Sequence, residues 1–277
     1  MPREPRTLSA RASGRGVAAL SKVPRITLAF WLLKLLTTAL GESTSDYLVH
    51  SISPYVAVVG GFVVFVAAMA LQLRVDRYRR FVYWLAVTMV AVFGTMAADV
   101  LHVEFGVPYI VSTCLFAVCL AAVFVAWHRV EGTLSIHSIT TRRRELFYWA
   151  TVLAAFAMGT AAGDLFAYTL NLGFLSAAFV FAGIFALPAL AYGLFRANAI
   201  ATFWFAYVMT RPLGASLADW GGKPRTAHGL GYGDGAVAGV LLLAMLAVLA
   251  VLVVTRADEP EDRAASAGVE AVRLGEV

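Results

Sequence analysis

"FWLLKLLTTALGESTSDYLVH", Phe30 to His50, is apolar enough to open a membrane span, yet it carries Lys34, Glu42 and Asp46. Each of these charges costs at least about 2.5 to 3.5 kcal/mol at the centre of a bilayer, so a helix keeps them there only for a purpose. Their surroundings recur along the chain. Trp31 follows an aromatic residue, and Gly41, Ser45 and Asp46 stand ten, fourteen and fifteen positions after it. The same offsets return at Tyr83, Trp84, Gly94, Ala98 and Asp99, at Tyr148, Trp149, Gly159, Gly163 and Asp164, and at Phe203, Trp204, Gly214, Ala218 and Asp219. One such match would carry little weight, but four matches in phase with four helix pairs argue for a fourfold internal repeat.

The chain has 277 residues, 60% of them hydrophobic and 14% charged. A soluble domain is nearer half apolar and a quarter charged, so a polytopic membrane protein with one membrane domain is expected. Eight segments have the roughly 20-residue length that crosses a bilayer, near 26–48, 54–73, 81–102, 108–128, 146–170, 173–195, 199–219 and 235–255. Their long continuous apolar runs exclude a β-barrel. The expected layout is a disordered basic segment at 1–21, a membrane domain at 22–256 and a disordered acidic tail at 257–277. The domain divides into repeats at about 22–75, 78–130, 143–196 and 199–256. Cys114 and Cys119 are five apart, which suits packing rather than a disulfide or zinc site.

Arginines and lysines set the topology. They gather before the first span, at Arg74 to Arg80, at Arg129 to Arg144, and at Arg196 and Arg256, whereas most of the opposite connections have none. The positive-inside rule then puts both termini in the cytoplasm, in a bacterial cytoplasmic membrane. The net charge of +5 is a topology signal, and no nucleic-acid partner is expected from arginines that flank spans. Each repeat holds two spans, so successive repeats enter the bilayer in the same direction. That predicts four parallel repeats in a pseudo-fourfold ring about the membrane normal.

Within each repeat Gly41, Gly94, Gly159 and Gly214 begin a small-xxx-small pair that lets backbones approach closely. The Asp lies about 60° from the Trp around the helix, at the border of that packed face. A closed ring would bring Asp46, Asp99, Asp164 and Asp219 to one depth beside Glu42, a candidate ion-binding carboxylate ring, with Lys34 and Arg211 as counter-charges. His50 and His102 stand four and three after Asp46 and Asp99, so those four residues are a possible metal set, against the simpler reading of interfacial histidines. Trp31, Trp84, Trp149 and Trp204 are expected to form a packing layer. No nucleophile elbow, phosphate loop or His-Glu-x-x-His motif lies on a span, so neither an enzyme nor a cofactor is expected. The expected function is secondary transport or export of cations, protons or small divalent ions such as manganese, with the bilayer and a small ion as partners. A scaffold, a sensor and a cation channel are the alternatives.

The stretches "KVPRITLAFWLLKLLTTALGESTSD", residues 22–46, and "RPLGASLADWGGKP", residues 211–224, resemble a bacterial family of integral membrane proteins made of four copies of a repeat of unknown function. The resemblance runs from Lys22 to about Arg256 and is most specific at Thr37, Thr38, Gly41, Glu42 and Asp46 and at Arg211, Pro212, Leu213, Gly214 and Asp219. It implies the repeat and the membrane location and brings no substrate. The middle repeats depart from the first, with Thr95 and Thr160 in the place of Glu42.

Overall fold

The structure, a computed structural model, describes residues 21–260. The segment expected to be disordered at 1–21 therefore lies outside the described residues except for Ser21, as does the tail beyond 260. Eight long helices make up the described chain: α1 (Leu28–Ser51), α2 (Pro54–Arg74), α3 (Arg80–Val103), α4 (Tyr109–Glu131), α5 (Arg142–Asp164), α6 (Gly173–Phe195), α7 (Ala199–Gly222) and α8 (Asp234–Thr255). Their ends are chemically marked. Thr27, Thr141 and Asn198 accept from backbone N–H groups in the first turns of α1, α5 and α7, groups that have no partner inside the helix. Gly132 ends α4 with φ 70°, a left-handed conformation that glycine adopts without strain.

Six of these helices, α2 to α6 and α8, are long and apolar enough to cross a membrane. The protein is a helical multi-pass membrane protein built on an internal repeat. The other two expected spans, α1 and α7, are present as long helices but do not reach that apolar composition. Both carry interior charge, Lys34, Glu42 and Asp46 on α1 and Arg211 and Asp219 on α7. Both bury that charge against other helices: Lys34, Glu42, Arg211 and Asp219 are all buried.

The odd-numbered helices touch in cyclic order, α1 on α3, α3 on α5, α5 on α7 and α7 on α1. Glycine makes these contacts close. A methyl group on Gly41 would strike Ala91 of α3, on Gly94 it would meet Phe156 of α5, on Gly159 Arg211 and Pro212 of α7, and on Gly214 Thr38 of α1. All four neighbours, Thr38, Ala91, Phe156 and Arg211, stand seven residues after the Trp of their own repeat. One contact is thus made four times, and the small residue at its centre is what lets the helices approach without a hydrophobic drive from water.

The even-numbered helices lie outside, each most extensively against the odd helix of the next repeat: α2 on α3, α4 on α5, α6 on α7, and α8 back on α1. They leave apolar side chains such as Val63, Val118, Leu190 and Leu243 exposed, as a lipid-facing surface requires.

At the end where the chain starts, the aromatic pairs close a layer. Trp31 packs on Phe203 at 5.7 Å, Trp84 on Phe30 at 5.8 Å, Trp149 on Tyr83 at 5.7 Å and Trp204 on Tyr148 at 6.1 Å between ring centres. Each Trp therefore leans on the preceding repeat, in the same cyclic sense throughout. Two polar clasps secure this end. Lys22 donates to Glu145 at 2.8 Å, with Gln72 donating to the same carboxylate at 3.0 Å. Asp258, expected to begin a disordered tail, is instead buried, accepting from Tyr78 at 2.6 Å and from Arg80 Nε at 2.7 Å. Burial and this hydrogen bond push the Tyr78 phenol well above its ordinary pKa, so it stays a donor.

Candidate functional site

Above the aromatic layer the four odd helices point polar side chains inward. Arg211 lies on α7 and is 1% exposed. Its Nη2 donates to Glu42 Oε2 at 2.5 Å, to Thr160 Oγ1 at 2.7 Å and to Thr95 Oγ1. Glu42, Thr95 and Thr160 all stand eleven residues after their Trp, and the fourth position at that offset is the small Ala215. One guanidinium thus reads the same register position in the three other repeats. The departure of Thr95 and Thr160 from Glu42 has a physical reason here: one arginine needs one carboxylate, and three would leave two buried charges unpaired.

Lys34, also 1% exposed, sits deeper. The aromatic layer supplies its surroundings, since Nζ lies 4.0 Å from the Phe156 ring centre and 4.3 Å from that of Tyr207. Ring faces attract a desolvated cation. The single hydrogen-bond partner of Nζ among the described residues is Thr38 Oγ1, at 3.4 Å. Lys34 therefore does not serve as the counter-charge expected of it, whereas Arg211 does.

One helical turn above Glu42 are the four repeat aspartates. Asp46 pairs with Lys223 at 2.5 Å, and the same ammonium lies 3.9 Å from Asp219 and 3.8 Å from Asp234 at the start of α8. Burial works against the charge on Lys223, but Asp46 and Asp219 outweigh it and hold its pKa above the ordinary 10.5. Carboxylate oxygens of Glu42, Asp46 and Asp219 come within 4.8 Å of one another, close enough to share a cation. Asp99 and Asp164 are half-buried and within electrostatic reach of Glu42 and Asp46. Neither has a hydrogen bond or an ion pair among the described residues.

The histidines stand apart from the group that could hold a metal, which contains neither. His50 is exposed and its Nδ1 meets the Asp46 backbone carbonyl at 2.7 Å. His102 Nδ1 meets the Val107 carbonyl at 2.9 Å, and its Nε2 lies 3.3 Å from Ser112 Oγ. Of the possible metal set Asp46, His50, Asp99 and His102, the structure brings only Asp46 into this carboxylate group, while both rings make local contacts with chain nearby.

The fourfold register of these contacts is matched by a fourfold family comparison. A family model described as Repeat of Unknown Function (DUF347) matches at residues 29–78, 82–133, 147–198 and 202–258. The chain belongs to this four-repeat family. Comparison with curated proteins and with solved structures gave no match. Each of the four matched segments begins two residues before its repeat Trp, in phase with the recurring aromatic, glycine and aspartate positions of this chain.

Three positions that contact the polar cluster are not singled out as site residues by the sequence alone. Thr95 and Thr160 shared the offset of Glu42, a signal that could have identified them as partners of one cation. Lys223 stood four after Asp219, which on a helix places it one turn above that carboxylate.

Proposed function

We propose that this protein is a membrane transporter for cations, protons or small divalent ions, in which Glu42, Asp46, Asp99, Asp164 and Asp219 receive the ion. The observation that carries this reading is the unpaired state of Asp99 and Asp164 beside a cluster that already holds three carboxylates. Two half-buried carboxylates without a cation need protons or a bound ion to offset their desolvation. Oxygen ligands of this kind favour hard ions such as manganese, magnesium or calcium over soft ones.

The cyclic contacts support a pseudo-fourfold ring about the membrane normal, with both termini in the cytoplasm. In that orientation the aromatic layer and its two clasps close the cytoplasmic half, and the carboxylates face the outer half. A non-transporting scaffold is the second reading, and the Asp46–Lys223 pair favours it by satisfying one carboxylate internally.

The test is flux into proteoliposomes of manganese, magnesium, calcium and sodium, with and without a pH gradient. Saturable flux that falls at least tenfold in both Asp99→Asn and Asp164→Asn is expected. Flux that is unchanged in both, or no flux from well-inserted wild type, would sink the transporter reading.

A further inference from the structure

Besides its carboxylates, the centre of the ring contains an excess of buried donors. Arg211 Nε and Nη1 are buried and have no acceptor among the described residues, although the residue is 1% exposed. Lys34 has three N–H donors and one acceptor, Thr38 Oγ1 at 3.4 Å. The Tyr207 ring also lies against Lys34, its centre 4.3 Å from Nζ. Both cations lie against a single ring: Lys34 Nζ is 4.0 Å and Arg211 Cζ 5.5 Å from the centre of Phe156.

Charge and hydrogen bonding agree on what is lacking. Among the described residues the two cations meet one carboxylate within 4 Å, Glu42, on Arg211 Nη2. Asp46 is taken up by Lys223, and neither Asp99 nor Asp164 pairs with either cation. A buried polar donor left without a partner costs about 1 to 3 kcal/mol, more when charged, and native interiors tolerate few of them. An uncompensated buried charge is costlier still.

We propose that the unpartnered donors of Lys34 and Arg211, which both lie against Phe156, together bind a small monovalent anion of halide size. Such an anion supplies the acceptor for Lys34 Nζ and the free edge of Arg211, and it neutralises the second cation. Within 4 Å its single charge fits the balance of Lys34 and Arg211 against Glu42, with Asp99 and Asp164 acting on Arg211 only at longer range. Phe156 and Tyr207 keep water from competing for it. This site lies below the carboxylates and goes beyond the cation reading without resting on it.

Binding of radiolabelled chloride to the purified full-length protein in detergent, measured by equilibrium dialysis, tests the inference. One saturable chloride per chain is expected, weakened at least tenfold in Lys34→Met, whose unbranched side chain preserves the packing, and retained in Lys34→Arg. Replacing chloride by gluconate should lower the melting temperature of the wild type and leave Lys34→Met unmoved, which also shows that this variant folds. Absence of saturable chloride binding to the wild type would overturn the proposal. Equal binding to Lys34→Met would overturn it too. Either result leaves the cation flux measurement free to succeed or fail by itself.

Discussion

Replacing Glu42 by Gln tests whether the ring is organised around Arg211. The substitution keeps size and one acceptor oxygen but removes the only carboxylate among the described residues within 4 Å of a guanidinium that is 1% exposed. Thr95 and Thr160 remain on Nη2, so two neutral hydrogen bonds survive. Nε and Nη1 have no partner among the described residues to take up the load. Breaking a buried pair by removing one partner costs about 3 to 5 kcal/mol, and the surviving amide contact puts Glu42→Gln near the lower end, about 3 kcal/mol. Equilibrium unfolding in mixed micelles, followed by tryptophan fluorescence, measures it. The double variant Glu42→Met/Arg211→Met removes both charges and should be more stable than Glu42→Met alone, because its buried charges are gone together. A loss for Glu42→Gln within about 0.5 kcal/mol, the range of an inconsequential surface change, would refute the argument.

Two further expectations concern packing and pH. Gly159→Ala should destabilise by about 1 to 3 kcal/mol through overpacking, since its methyl would come within 2.5 Å of Arg211 Cγ, while Gly183→Ala on the open face of α6 should be neutral or slightly stabilising; equal effects in micelle unfolding would remove the close-contact account. The Lys223 pairing should keep its full contribution through alkaline pH, because a raised pKa in the folded protein preserves the charged pair below 10.5 and loses it only above that value; a stability gap between wild type and Lys223→Met that shrinks between neutral pH and pH about 9.5 would contradict this.

The spacing of Trp31, Gly41 and Asp46 made the repeat, the membrane class and the glycine contacts legible, because each is a short-range property of a helix of fixed pitch. Gly needs no knowledge of its neighbour to announce a close approach. Side chains that reach were harder to assign. Arg211 and Lys223 span several ångströms before they meet a partner, and sequence distance says nothing of which helix that is: Arg211 and Glu42 are separated by 169 positions. Lys34 was expected to meet a carboxylate and meets ring faces, which a count of charges does not reveal. Asp258 shows the same limit from the other side. An acidic tail reads as disordered by composition, yet one carboxylate that finds Tyr78 and Arg80 is enough to fix its place.

The outer helices give the chain an unusual dependence on its own copies. Because α2 rests on α3, α4 on α5, α6 on α7 and α8 on α1, a single two-helix unit covers its neighbour's inner helix more fully than its own. Such a unit is half of two different contacts and complete in neither. Four separate units could still satisfy one another in a circle, each handing its outer helix forward, so the covalent links between repeats supply order and proximity rather than the contacts themselves. The first and last repeats, far apart in the chain, are then as closely joined as any two in succession, and the molecule has beginnings and ends in sequence but none in its packing.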